Sequence, residues 1–156
     1  MIMGTNVYLM KPLKKEDKNK LINKIKNCLY YEDVLNEVER ILQPRYEYET
    51  GDSSYKIHIG KRSNGWKFLF SRNLNKYCLL DRDSITNWLK TGDIVNEYGE
   101  RISLEKFWKE YVDDFADGMT CEDYYKKHPE ERRYLGNYGD IMINGLRFTK
   151  DYSCFS

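Results

Sequence analysis

The spacing of apolar residues changes period at Tyr55, and that change limits what the chain can fold into. Leu21, Ile22, Ile25, Cys28 and Leu29 recur at i, i+1, i+4, i+7 and i+8, and Val34, Leu35, Val38, Ile41 and Leu42 repeat the pattern. Such spacing lays one buried apolar stripe along a helix. It predicts two amphipathic helices, around 15–29 and 31–42, with Pro44 stopping the second. From Tyr55 the period is two: Tyr55, Ile57 and Ile59 alternate with Lys56, His58 and Gly60, and Trp66, Phe68 and Phe70 alternate with Lys67, Leu69 and Ser71. That is the signature of a β-hairpin, with HIGKRSNGW (His58 to Trp66) at its tip.

The other elements follow from local signals. TNVYLM, Thr5 to Met10, reads as a first strand interrupted by Pro12. DSITNWLKTG reads as a short helix capped by Asp83 or Ser84, burying Ile85, Trp88 and Leu89, with Gly92 at its exit. IVNEYGERIS reads as a small hairpin turning near Tyr98 and Gly99. Ser103 caps the strongest helical pattern, in which Leu104, Phe107, Trp108, Tyr111, Val112 and Phe115 share one face. Thr120 and Asp123 fit a capping box for a helix through Tyr124 and Tyr125, ended by Pro129. IMI-NG-LRF, Ile141 to Phe148, places Asn144-Gly145 where a type I′ hairpin needs two positive φ angles. The expected fold is α+β: a single domain over residues 1–156, its antiparallel sheet of hairpins packed against the 103–115 helix. A helical pair, about residues 14–43, is inserted after the first strand.

Charge is balanced overall, with 26 basic and 25 acidic side chains and 40% hydrophobic residues, which argues against a disordered tail or an acidic nucleic-acid mimic. Locally it is blocked. Residues 11–26 hold seven lysines against Glu16 and Asp17, and residues 56–90 hold eight bases against Asp81 and Asp83, whereas 27–55 and 97–131 are acidic. Blocks of this kind form either solvated helix faces or a two-sided surface that steers an anion. Cys28, Cys78, Cys121 and Cys154 are scattered without a C-x-x-C pair, so they are read as reduced, mostly buried thiols, with no metal and no cofactor called for. No long apolar run and no signal-peptide pattern is present, so the expectation is a cytoplasmic protein with no membrane partner.

HIGKRSNGW concentrates the candidate chemistry. Gly60 and Gly65 have P-loop spacing, but Trp66 stands where Lys and then Ser or Thr are required, and a strand follows where a helix should. A different anion grip stays open, built from turn amides at Ser63 and Asn64 beside Lys61 and Arg62 and extended by Lys56, His58, Lys67 and Arg72, with Trp66 offering a stacking surface. Also open is the reading in which Trp66, Phe68 and Phe70 face the core and the cations only solvate the hairpin. His58 is a weak candidate for a general base oriented by Asp81 or Asp83, or else a hydrogen-bonded strand histidine. His128, beside Pro129, reads as a cation at a helix end. The carboxylates Glu97, Glu100, Asp113, Asp114, Asp117, Glu122 and Asp123 lack any diagnostic metal spacing.

Taken together, MGTNVYL (Met3 to Leu9) and HIGKRSNGW resemble a family of small bacteriophage and prophage proteins that open on MGTN and an aromatic pair and continue to HIGKSS-x-GW. The match falls on Gly4, Thr5, Asn6, Tyr8, His58, Gly60, Lys61, Ser63, Gly65 and Trp66. Arg62 departs from it. So does the interval between the motifs, where many relatives place a C-x-x-C pair and this chain has only Cys28. The resemblance implies a viral accessory origin, hence host cytoplasm, without supplying a mechanism. The functional expectation is an accessory binding protein that counters a host defence by holding nucleic acid, a nucleotide or a host protein. The alternative is a nucleotide- or nucleic-acid-processing enzyme using His58.

Overall fold

Seven short strands form one sheet in a computed structural model, which describes residues 4–42, 55–62, 67–115, 119–120, 123, 126–130 and 140–149. In chain order the elements are β1 (Thr5–Met10), α1 (Lys15–Ile25), α2 (Tyr31–Leu42), β2 (Lys56–Arg62), β3 (Leu69–Phe70) and a 3₁₀ segment (Arg72–Tyr77). Then come α3 (Arg82–Leu89), β4 (Asp93–Asn96), β5 (Arg101–Ile102), the single turn α4 (Leu104–Lys106) and a π-helical stretch (Phe107–Asp113). β6 (Asp114–Phe115), β7 (Met119–Thr120), β8 (Asp140–Ile143) and β9 (Leu146–Thr149) complete it. The sheet order is β5-β4-β1-β2-β3-β9-β8, with β6 and β7 in a separate ribbon. The fold is α+β. The expected all-antiparallel sheet is mixed, because β3 and β9 pair in parallel and so join the two hairpin systems.

One face of the sheet carries the core. Val7, Leu9, Ile57, Ile59, Phe70 and Phe148 pack with Ile85 and Leu89 of α3 and Phe107 and Val112 of the π-helical stretch. Phe68, Phe70 and Phe107 meet edge to face, with ring centroids 4.8 Å apart for the first pair and 5.4 Å for Phe68 and Phe107. Burying each such side chain contributes about 2 kcal/mol, with the ring geometry adding to it.

Several boundaries differ from expectation. Ser103 does cap its helix, Oγ accepting from the Lys106 amide, but after one α-turn the backbone widens to π geometry and ends at Asp113, so the next residues, including Phe115, form a strand. The α3 cap is Asp81 rather than Asp83 or Ser84. Its carboxylate accepts from the Ser84 amide (2.8 Å) while the Ser84 side chain closes a capping box on the Asp81 backbone. The Ser84 amide bond is also the main reason the Asp81 carboxyl is held below its usual pKa. Asp81→Ala should lower the thermal unfolding midpoint by about 3 °C; an unchanged midpoint would show the cap to be idle. The Asn144-Gly145 turn has φ of 49° and 78°, the two positive values of a type I′ turn. Thr120, expected as a helix cap, lies in β7, and of the helix expected there, Asp123 and Lys126–Lys127 are helical while Tyr124 and Tyr125 fall outside the described residues.

The inserted helical pair departs furthest from expectation. α1 stops at Ile25 instead of continuing to 29, and its stripe is not buried: Ile22 is 43% exposed, Leu29 88% and Leu35 of α2 43%. α1 is tied to the sheet by Tyr55, whose hydroxyl accepts from the Lys14 amide (3.3 Å) and donates to Asp17. The bond to Asp17 raises the phenol's pKa. Of the two described thiols, Cys28 is half-buried and Cys78 exposed, the latter in a left-handed turn (φ 56°), whereas burial was expected; Cys121 and Cys154 lie outside the described residues.

Candidate functional site

The two halves of the sequence signature meet in the sheet. β1 and β2 run antiparallel with Tyr8 opposite His58, Asn6 opposite Lys61 and Thr5 opposite Arg62. Between Val7 and Tyr8 the register shifts, because Val7 pairs with Gly60 and Tyr8 with His58, leaving Ile59 as the extra residue of a β-bulge. A bulge reverses which side later residues face. Under strict alternation Lys61 would point to the core side. Here it joins His58, Asn6 and Tyr8 on the opposite side, and Arg62 turns toward the core-side π-helical stretch, its guanidinium 5.4 Å from the Tyr111 ring centroid. The adjacent cations Lys61 and Arg62 are therefore on opposite sides of the sheet.

His58 is buried at 8% exposure. Its Nε2 lies 3.1 Å from Asn6 Oδ1, and the Asn6 amide nitrogen donates to Glu97 Oε2 (3.3 Å). With that nitrogen donating to a carboxylate, Oδ1 faces His58 Nε2 as an acceptor, and the ring also shares a hydrogen bond with the Gly60 backbone. Burial depresses the pKa to about 4; the hydrogen bond with the Gly60 backbone opposes this, and the Lys61 charge adds to the lowering. Asp81, one proposed orienting acid, is occupied as the α3 cap.

No family model, curated protein or solved structure matches this chain.

The remaining candidates separate. Lys56 shares the Asn6 side of the sheet, opposite Met10 in register, with Nζ 4.3 Å from the Tyr8 ring centroid. Lys67 donates to the Gly145 carbonyl (2.8 Å) at the β8–β9 turn. The Arg72 amide donates to Thr149 Oγ1 (3.0 Å), and its Nη1 is buried without a hydrogen-bond partner among the described residues. Ser63, Asn64 and Trp66 lie outside the described residues, as does the tip they were expected to form. Gly60 is a packing residue: a Cβ there would stand 2.3 Å from the Leu69 carbonyl oxygen and 2.6 Å from the Phe68 ring.

Sequence reasoning named Asn6 in the shared motif and Glu97 among the acids without joining either to His58: Asn6 bonds the imidazole and Glu97 holds Asn6. It missed Arg147, which, opposite Leu69 in the parallel pair, is buried on the Lys61 side and donates to the Lys67 carbonyl (2.9 Å). Alternation of Arg147 with Leu146 and Phe148 was the available signal. Only the strand pairing brings Asn6 to His58. Among the acids, Asp113 pairs with Arg82 and Glu100 accepts from Asn96, while His128 lies 3.6 Å from Glu130. No group of three metal-ligating side chains occurs among the described residues. No helix among them is long and apolar enough to cross a membrane.

Proposed function

We propose that this chain is a binding protein, a phage-type accessory factor that counters a host defence by occupying a phosphate-bearing ligand, with a nucleic-acid backbone as the first choice. The observation that supports the binding reading is the bulge. It gathers Lys56 and Lys61 with Tyr8 and Asn6 on one side of the sheet, a pair of point charges beside an aromatic surface. The accessory role rests on the resemblance of the MGTNVYL and HIGKRSNGW motifs. Occupancy is favoured over catalysis by the state of His58. A general base works best with a pKa near the operating pH, and a buried imidazole depressed to about 4 and already bonded to Asn6 is poorly matched to that task.

The test is a salt series with a labelled single-stranded oligonucleotide. Affinity should fall steeply as salt rises, and Lys56→Ala and Lys61→Ala should each flatten the slope of log K against log salt by about 0.7. Arg62→Ala, on the other side of the sheet, should leave the slope almost unchanged. Absence of binding, or equal effects of Lys61 and Arg62, would sink this reading.

A further inference from the structure

The helical pair carries an apolar stripe that the described chain leaves open. No residue of α1 is buried, and Ile22, Ile25, Leu29 and Leu35 are all exposed by more than a third. Two short helices cannot bury such a face by packing only on each other. Their charges differ in balance: α1 and its end hold exposed Lys15, Lys18, Lys20, Lys24 and Lys26 against Glu16 and Asp17, while α2 holds Glu32, Asp33, Glu37 and Glu39 against Arg40. Among the described residues the ion pairs of this hairpin, Lys20 with Asp17 and Arg40 with Glu37, each stay within one helix, and none joins α1 lysines to α2 acids.

We propose that this face pairs with the same face of a second copy of the chain, forming a four-helix bundle about a two-fold axis. An isologous contact needs a surface complementary to itself. One basic and one acidic helix beside exposed apolar residues provide it when the two-fold axis runs parallel to the helices, which sets α1 against the partner's α2 and α2 against the partner's α1. Every basic helix of the bundle then lies between two acidic ones, and Ile22, Ile25 and Leu35 fill the interior as bundle core positions do. Acidic peptides or basic surfaces of unrelated partners would satisfy only one of the two helices. This proposal stands apart from the anion-binding reading, which uses the sheet.

Sedimentation equilibrium of the full chain tests it. The wild type should sediment at twice its 18.8 kDa. Ile22→Glu with Leu35→Glu should halve that mass while the far-ultraviolet circular dichroism and the urea midpoint stay near wild type, since neither residue belongs to the buried core. A second pair of variants guards against loss of folding. Lys18→Glu with Lys24→Glu makes both helices acidic, and Glu32→Lys with Glu39→Lys makes both basic. Each alone should sediment as a monomer, and an equimolar mixture should return to the two-chain mass. A monomeric wild type, a folded Ile22→Glu/Leu35→Glu variant that keeps the doubled mass, or a mixture that stays monomeric would each overturn the proposal.

Discussion

Gly60→Ala should destabilise the protein by about 3 kcal/mol or more, a large share of the roughly 5–15 kcal/mol that holds a domain folded. The new methyl has nowhere to go. Its position lies 2.3 Å from the Leu69 carbonyl oxygen and within 3 Å of two Phe68 ring atoms. A flexible side chain could swing away from such a contact, but the Leu69 oxygen is backbone in β3, and Phe68 is 1% exposed and wedged against Phe70 and Phe107. Relief therefore requires β3 to separate from β2 in the middle of the sheet, which also strains the parallel β3–β9 pairing. Gly145 is the instructive contrast. There φ is +78° and no atom of the described residues lies within 4 Å of a Cβ, so alanine would cost backbone conformation and no overlap with them. Urea unfolding of both variants separates the two mechanisms: Gly60→Ala should lose far more of its midpoint than Gly145→Ala. Equal, small losses would refute the packing account and return Gly60 to the status of a loop glycine.

That role for Gly60 shows which parts of the molecule the sequence carries openly. Period two predicted the buried set Ile57, Ile59, Phe68 and Phe70, and Asn144-Gly145 predicted its turn, because side-chain alternation and positive φ are local properties. The bulge is not local. It arises where β1 meets a strand some fifty residues later, and only that pairing decides that Lys61 shares a side with His58 while Arg62 does not. The π-helical stretch was hidden for a different reason. Leu104, Trp108 and Val112 recur every four residues, a step that lies between the α and π repeats, so the apolar pattern fits both. The α1–α2 stripe was recognised as amphipathic and assigned to the core of this chain. Periodicity reports that a face is apolar and is silent on what covers it.

The two motifs read along the sequence as separate signatures are one structural unit, Glu97–Asn6–His58 with the bulge beside it, and its largest measurable consequence is a dependence of stability on pH. In the unfolded chain His58 takes up its proton near pH 6.5, whereas in the fold burial delays this to about pH 4. Between those values the unfolded state binds more protons than the folded state, so unfolding becomes easier as pH falls. The neutral histidine's contribution is complete above about pH 6.5, declines through the interval, and is fully lost below about pH 4. The separation corresponds to about 3 kcal/mol. Carboxylates also titrate at the acid end of this range, so the measurement is a difference. Urea unfolding of wild type and His58→Gln should be compared from pH 7.5 to 4. Glutamine keeps a donor for Asn6 Oδ1 and cannot be protonated there, so wild type should lose about 3 kcal/mol more than the variant across the window, with most of the divergence below pH 6. Parallel curves for the two proteins would mean that His58 is protonated in the fold as readily as in the unfolded chain, and the buried neutral imidazole bonded to Asn6 would have to be abandoned.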